Sequence, residues 1–185
     1  AFDDVMKLNV QFVLLGTGDV AYEKQYRDFA GKYPDKVSVN IGFDAAVAPA
    51  IYAGCDMFLM PSRYEPCGLG QLISFKYGAV PIVRKTGGLA DTVIDFDEDS
   101  KNGNGFVFSD YTAASLLNAV KRAVNIFNNE KREWNELVEK IMNYDYNEID
   151  TALRATLSHH GPRRKLRWTS STILTSTPNG FSGKT

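Results

Sequence analysis

Glu65 is the residue of this 185-residue sequence best placed to do chemistry, and it lies in the segment 61–71, which reads PSRYEPCGLGQ. The apolar run Met57–Met60 before it predicts a buried strand, and residues 69–77 after it predict a helix. A helix begins with free backbone N–H groups and a partial positive charge, which suit a phosphate. A carboxylate beside such an anion-binding turn predicts a site that holds a sugar and a diphosphate together.

A lone Glu is more often a solvated surface residue, and this alternative interpretation of Glu65 stays open. Pro66, however, restricts the backbone directly after it, and mostly small residues follow at the helix start. Cys67 is a possible nucleophile, because a helix N-terminus lowers a thiol pKa. Its only possible histidine partners are His159 and His160, near the end of the chain. We therefore expect Cys67 to be a small, partly buried residue.

Two further glycine turns follow predicted strands. Gly16 and Gly18 let the backbone approach a phosphate, and with Ala21 they form a loose G-x-G-x-x-A dinucleotide pattern. Asp44 lies too far along the chain to serve as the ribose-binding acid of that pattern. A tight strand-to-helix turn without a ligand is the alternative for this segment.

The segment 86–92, TGGLADT, also joins a predicted strand to a predicted helix. Thr86 could simply cap that helix above a flexible turn. If this turn lies beside the Glu65 loop, Thr86 and Gly87 become candidates for a second wall of the same pocket.

The elements that must position these residues alternate between short apolar runs and longer amphipathic ones. The predicted strands are 10–15, 37–41, 57–60, 80–83 and, at an edge, 105–108. The predicted helices are 21–32, 46–53, 69–77, 89–94, 113–127 and 131–144, the last two with apolar stripes that we assign to the core. This alternation predicts an α/β fold with a parallel sheet and helices on both faces. Ligands bind such sheets at the carboxyl ends of the strands, where the glycine turns and Glu65 fall.

Composition excludes several classes of protein. Hydrophobic residues at 44% and charged residues at 23% are typical of one globular domain, and no apolar run reaches the length of a membrane span. Two cysteines are too few for a disulfide framework and lack zinc-ligand spacing, so we expect a reduced compartment, no metal and no cofactor. The chain begins with Ala1 rather than Met and has no signal-peptide pattern, so we expect a fragment or an excised domain.

Charge divides the chain near Asp150. All 22 acidic residues and 15 of the 21 basic ones lie up to that point, a net charge of −7, whereas residues 151–185 carry six basic residues and no acid. The segment from 166 onward is rich in Ser, Thr, Pro and Gly and predicts disorder. The basic cluster 163–168 could touch nucleic acid or an acidic surface, but no fold motif accompanies it, and a solvated tail is the preferred interpretation.

Three segments together carry a specific family resemblance: 61–72, 76–84 and 86–93, supported by VLLGTGD at 13–19 and MNYDY at 142–146. They strongly resemble the bacterial glycogen synthase and plant starch synthase family over residues 1–148. Enzymes of that family have two Rossmann-like domains, the GT-B architecture. They transfer glucose from ADP-glucose or UDP-glucose to the non-reducing end of an α-1,4-glucan with retention. The resemblance implies that residues 1–148 form part of the C-terminal, nucleotide-sugar-binding domain.

The resemblance also implies roles for the matching residues. Glu65 would hydrogen-bond the donor glucose and offset positive charge at the anomeric carbon. Backbone N–H groups of Cys67 and Gly68 would hold sugar hydroxyls, and those of Leu69 and Gly70 would hold the distal phosphate. Gly18 would help from its own loop, and Thr86 and Gly87 would line the donor. Some family members have Thr where this chain has Gly70, and related transferases have a second Glu where this chain has Ile73.

Other parts of the family pattern are absent. The N-terminal domain with its Lys-Gly-Gly donor loop and acceptor groove is missing, as are the first strand of the C-terminal domain and the cations that neutralise the diphosphate. From Asn147 onward the chain diverges, so we expect residues 149–185 to form a basic tail that is disordered from about residue 161. The fragment alone is expected to be inactive.

The sequence thus predicts a fragment of a glucosyltransferase whose partners are ADP-glucose or UDP-glucose, a glucan and its own N-terminal domain, without nucleic acid or membrane. Two alternatives stay open: a non-catalytic nucleotide-sugar or glucan-binding module, and another retaining transferase of the same architecture. The expected location is the cytoplasm of a bacterium, or a plastid if the chain comes from a plant.

Overall fold

The structure is a computed structural model that describes residues 1–44, residues 46–144 and the backbone of residues 171–176. Its elements, in chain order, are α1 (Phe2–Met6), β1 (Val10–Gly16), α2 (Val20–Lys32), β2 (Val37–Ile41), α3 (Val47–Gly54), β3 (Met57–Met60), α4 (Leu69–Lys76), β4 (Val80–Arg84), α5 (Gly87–Thr92), β5 (Phe106–Phe108), α6 (Ala113–Asn129), α7 (Lys131–Met142) and β6 (Ser171–Ser176).

The strands form one sheet in the order β2-β1-β6-β3-β4-β5. β1 pairs in parallel with β2, β3 with β4, and β4 with β5. β6 runs antiparallel to both of its neighbours, β1 and β3, so these two strands point the same way. Five of the six strands therefore end at one edge of the sheet. The predicted parallel α/β fold is confirmed, and β5 lies at the sheet edge as predicted.

β6 corrects one expectation. The segment from 166 onward was predicted to be disordered, yet Ser171–Ser176 forms the strand between β1 and β3, with Ile173 opposite Val13 on one side and Phe58 on the other. Strand edges expose backbone N–H and C=O groups that a further strand can satisfy, whatever its composition. The predicted boundary at residue 148 lies among residues outside the described part of the chain.

Helices cover both faces of the sheet. Met57 and Leu59 of β3 point into the larger core, which is packed by buried side chains of α1, α6 and α7. Phe58, between them, points to the opposite face, where it meets Tyr52 of α3. The stripes of α6 and α7 pack in the core as predicted. β4 is buried on both faces from residue 80 to residue 83, which agrees with the apolar sequence of those four residues.

The helix starts near the carboxyl edge of the sheet are built differently. α2 begins with a side-chain cap, since Asp19 accepts a hydrogen bond from the Ala21 N–H at 2.8 Å. α4 begins with Gly68 in the left-handed conformation. In the part of the chain that the structure describes, no helix is long and apolar enough to cross a membrane.

Candidate functional site

The loop between β3 and α4 carries Glu65 at the edge where the parallel strands end. Glu65 is half-buried, whereas Cys67 is exposed. Gly68 follows with φ +64° and ψ +62°, a backbone conformation that glycine adopts without the steric cost of a Cβ. This left-handed residue turns the chain sharply into α4 and leaves Glu65 facing the start of the helix.

The Glu65 carboxylate contacts the start of α4. Its Oε1 accepts a hydrogen bond from the Gly68 N–H at 3.3 Å. The positive end of the helix dipole attracts the negative charge of a carboxylate at this position. Within the described residues no other side-chain hydrogen bond to Glu65 is formed, which leaves Oε2 for a ligand.

The start of α5 forms a platform under this loop. The Gly88 N–H donates to the Glu65 carbonyl oxygen at 3.0 Å. A Cβ at Gly87 would overlap that same carbonyl, and a Cβ at Gly88 would overlap the carbonyl of Cys67. Only two consecutive glycines let the two backbones approach so closely. The 86–92 turn therefore lies beside the Glu65 loop, and the role of Thr86 and Gly87 as a second wall of the pocket stays a prediction.

Arg84, at the end of β4, holds the beginning of the same loop. Its Nη1 donates to the carbonyl of Arg63 at 2.7 Å and lies 3.5 Å from the carbonyl of Ser62. The guanidinium also lies 5.1 Å from the centre of the Tyr111 ring, within the range of a cation–π contact. This cation is engaged with the protein backbone, so it positions the loop.

Leu69 and Gly70 form the first turn of α4, where backbone N–H groups have no partner inside the helix. Gly70 is buried, and a Cβ there would lie 3.1 Å from Phe58 and 3.3 Å from Met60. The α-carbon of Gly70 thus packs against β3. A threonine at this position, as in some members of the family that the sequence resembles, would require these two side chains to move.

Thr86 lies at the N-cap position of α5, in an extended conformation (φ −158°, ψ 141°). Its side chain makes no capping hydrogen bond, although its carbonyl accepts from the Leu89 N–H at 3.1 Å. Thr86 therefore lies at the capping position of α5, but its hydroxyl does not cap the helix.

Gly18 lies apart from the Glu65 loop, because β6 separates the ends of β1 and β3 in the sheet. It borders a shallow pocket, and its N–H donates to Glu23 Oε1 at 3.1 Å. The Glu23 side chain is only 19% exposed and lies 3.9 Å from Arg27. A carboxylate of the chain itself thus occupies the backbone donor that was predicted to help with a phosphate.

The two cysteines differ in environment. Cys67 is exposed in the loop, which corrects the expectation that it is partly buried. Cys55 is buried, its Sγ donates to the Tyr52 carbonyl at 3.4 Å, and burial raises its thiol pKa to about 12. Neither has a histidine beside it among the described residues, which include no histidine.

The structure thus brings Glu65, Cys67, Gly68 and Gly87 together and leaves Gly18 beyond the end of β1, which β6 separates from β3. Within the described ranges no three His, Cys, Asp or Glu side chains converge as a metal site would require. Sequence reasoning missed four residues that shape these loops, namely Glu23, Gln71, Arg84 and Thr92. A polar Gln among the apolar residues of the buried face of α4 was the signal that could have been noticed.

Comparison with known proteins agrees with this geometry. The sequence profile described as "Glycosyl transferases group 1" matches residues 1–141. The chain is 56% identical over 141 residues to a glycogen synthase of Thermosipho africanus and 54% identical over 143 residues to one of Fervidobacterium nodosum. These alignments cover 76% and 77% of this chain but 29% of each relative.

A solved structure is similar as well: the catalytic domain of starch synthase IV from Arabidopsis thaliana, bound to ADP and acarbose, at 37% identity and a TM-score of 0.71. The match covers 79% of this chain and 31% of that one. The resemblance to glycogen and starch synthases and the GT-B type of fold are confirmed. The chain spans just under a third of the length of the curated relatives it matches. On the match over residues 1–141, this chain belongs to the glycosyl transferases group 1 family.

Proposed function

We propose that this chain is the donor-binding part of a glycogen or starch synthase. The parent reaction transfers glucose from ADP-glucose or UDP-glucose to the non-reducing end of an α-1,4-glucan with retention at the anomeric carbon. The observation that carries the proposal is the Glu65 carboxylate, held at the start of α4 with one oxygen unengaged, in a chain 56% identical to a glycogen synthase.

Glu65 is proposed to bind the donor glucose and to offset the positive charge that develops at the anomeric carbon. The backbone N–H groups of Cys67 and Gly68 would hold sugar hydroxyls, and those of Leu69 and Gly70 the distal phosphate. The Gly68 N–H, which donates to Glu65 at 3.3 Å, would be shared between that carboxylate and the sugar. Support comes from the first turn of α4, whose backbone donors and dipole favour a departing diphosphate in the transition state.

Thr86, Gly87 and Gly18 are proposed to complete the donor site. Gly87 lies directly against the Glu65 loop and Thr86 immediately precedes it, which supports a place beside the donor. Gly18 can offer its N–H to a phosphate only after Glu23 has moved away. We include no metal and no cofactor in this proposal.

The acceptor glucan and the N-terminal domain of the same enzyme are proposed as the remaining partners. The described residues supply one side of a donor site, so we expect the purified 185-residue chain to bind donor without elongating glucan. The bacterial relatives favour a cytoplasmic location for the whole protein. Glucan elongation from ADP-glucose by this chain alone would contradict the expected inactivity.

A chimera tests the transfer reaction directly. Residues 1–141 would replace the matching segment of the Thermosipho africanus glycogen synthase, and glucan elongation would be measured with ADP-glucose and with UDP-glucose. We expect an active chimera. Glu65→Gln should lower its kcat by about 100-fold or more, the scale on which single charge-stabilising groups act.

Glu139→Gln is the matched control, since Glu139 is exposed on α7 and the substitution removes the same charge. It should leave kcat unchanged. A folded chimera that binds ADP-glucose but transfers nothing would favour the alternative of a non-catalytic nucleotide-sugar module. A chimera that accepts only another sugar nucleotide would favour a different retaining transferase.

A further inference from the structure

Gln71 is a fully buried polar residue in α4 whose amide orientation is determined by its neighbours. The Thr92 hydroxyl donates to the Gly88 carbonyl oxygen at 2.7 Å. Its oxygen must then accept the contact at 2.9 Å from Gln71, so the nitrogen of the amide, Nε2, is the atom that faces Thr92. Oε1 lies on the other side and has no hydrogen-bond partner among the described residues.

The same amide lies directly beneath Gly68. A Cβ built on Gly68 would lie 2.5 Å from Gln71 Nε2 and 2.8 Å from its Oε1. The side chain of Gln71 therefore fills the space that a side chain at position 68 would need. Steric exclusion and the positive φ both require glycine here, and Gln71 supports the turn from below.

These contacts close into a ring that begins and ends at Glu65. A hydrogen bond joins the carboxylate to the Gly68 N–H, and Gly68 packs against the Gln71 amide without a hydrogen bond. Hydrogen bonds then join the amide to the Thr92 hydroxyl and that hydroxyl to the Gly88 carbonyl. The Gly88 N–H returns to the Glu65 carbonyl at 3.0 Å. The ring thus holds the backbone of Glu65 from one side and its carboxylate from the other.

We propose that Gln71 is a positioning residue for Glu65, acting through Thr92 and Gly88 on the backbone and through Gly68 on the carboxylate. This inference rests on the proposed function, because it assumes that the orientation of Glu65 matters for binding the donor glucose. The amide is out of contact with water, so solvent does not readily replace the hydrogen bond to Thr92 when it is lost.

The test uses the 185-residue chain and two readouts: amide hydrogen exchange at Gly88, and affinity for ADP-glucose and for ADP. Gln71→Met keeps the size of the side chain and removes its polar atoms, and Thr92→Val removes the hydroxyl. Each should speed Gly88 exchange and weaken ADP-glucose binding about five- to tenfold, the equivalent of one hydrogen bond. ADP affinity should stay within about twofold, because ADP lacks the sugar that Glu65 contacts.

Controls separate positioning from general loosening of the fold. Thr92→Ser restores the hydroxyl and should restore both readouts. Ser74→Ala removes the buried hydroxyl of α4, which donates to the Gln71 backbone carbonyl and takes no part in the ring, and should change neither readout. Gln71→Met combined with Thr92→Val should be no worse than the more severe single variant, since both break the same contact.

Unchanged Gly88 exchange in folded Gln71→Met and Thr92→Val would overturn the inference, whether or not a nucleotide binds. Equal weakening of ADP and ADP-glucose would also overturn it, since that result indicates a structural effect on the whole site. Failure of the unsubstituted chain to bind ADP-glucose would instead overturn the proposed function and, with it, the purpose assigned to Gln71.

Discussion

Two glycine N–H groups of the proposed donor site donate to carboxylates of the chain itself. Glu65 accepts from Gly68 at 3.3 Å, and Glu23 accepts from Gly18 at 3.1 Å. The proposed donor brings a diphosphate to this site, and like charges in a partly buried place repel. Glu65 has a proposed use for its charge, whereas Glu23 would compete with a phosphate for the Gly18 N–H.

Glu23→Gln should therefore bind ADP about three- to tenfold more tightly than the unsubstituted chain, because one negative charge beside the phosphate is removed. Titration calorimetry at low ionic strength, where screening is weakest, is the appropriate measurement. Asp28→Asn on the same helix is the matched control, since Asp28 is exposed and bonded to Lys24. If Glu23→Gln binds ADP more weakly, its hydrogen bond to Gly18 organises the loop and the competitor role is wrong.

The cysteines give a second prediction at this scale. A thiol reagent at pH 8–9 should label Cys67 quickly and Cys55 only on unfolding. Cys67 is exposed. Cys55 is buried, and burial raises the pKa of its thiol to about 12, so this thiol stays protonated at pH 8–9. Peptide mapping after timed labelling would show which residue is modified. Cys67→Ser should abolish the fast phase, and ADP-glucose should slow it if the donor covers this loop.

At the scale of elements, α5 packs so closely against the Glu65 loop that a larger residue at their contact should lower the free energy of unfolding. Gly88→Ala should destabilise the fold by about 1–3 kcal/mol, the cost of forcing extra atoms into a packed contact, because its Cβ would overlap the Cys67 carbonyl. Denaturant unfolding with an unchanged m-value would measure the loss. Gly31→Ala is the control, since a Cβ there meets no atom within 4 Å and α2 should gain slightly.

Most elements were predictable from hydrophobic period alone. The strands β1, β2, β3 and β4 and the helices α6 and α7 have strong apolar patterns, and the structure places all of them within a few residues of the prediction. α1 was missed because five residues are too few to show a period. It is held by tertiary contacts, with Phe2 stacked on Phe29 at 4.1 Å between ring centres.

The site was predictable only in part, because some of its contacts depend on tertiary structure, as those of α1 do. The left-handed Gly68 and the glycine platform of α5 follow from local sequence, and their adjacency follows from two neighbouring parallel strands. The bond from Gln71 to Thr92 joins residues 21 positions apart through side-chain geometry that no sequence period encodes. The hydrogen bonds from Arg84 to the carbonyls of Ser62 and Arg63 likewise cannot be predicted until the pairing of β3 with β4 is known.

For the whole molecule, the sheet order is unusual in one place. A doubly wound sheet of order 3-2-1-4-5-6 has its first strand in the centre. In this chain the matching position is taken by β6, the last described strand, and it runs antiparallel. Composition around Ser171–Ser176 predicted disorder, but pairing on both sides decides the outcome for a short strand with Thr and Ile in it.

Ile173→Pro should therefore destabilise the whole sheet. Proline lacks the N–H group that a central strand must donate, and the expected loss is about 3 kcal/mol or more. Circular dichroism with thermal unfolding would detect it as a large fall in Tm. Ile173→Val keeps the N–H and the strand preference, so its Tm should stay close to that of the unsubstituted chain. Equal Tm values for the two variants would show that residues 1–144 are stable without β6.

The central place of β6 also has a consequence for the order of events during synthesis. The pair β1–β2 and the group β3–β4–β5 leave the ribosome well before residue 171, and each has an open edge where β6 will later lie. Until then the nascent chain exposes two template edges that can pair with the wrong partner, as long-range sheets do while folding is incomplete. Protection of this nascent chain by a chaperone should matter most in the interval between the emergence of β5 and that of β6.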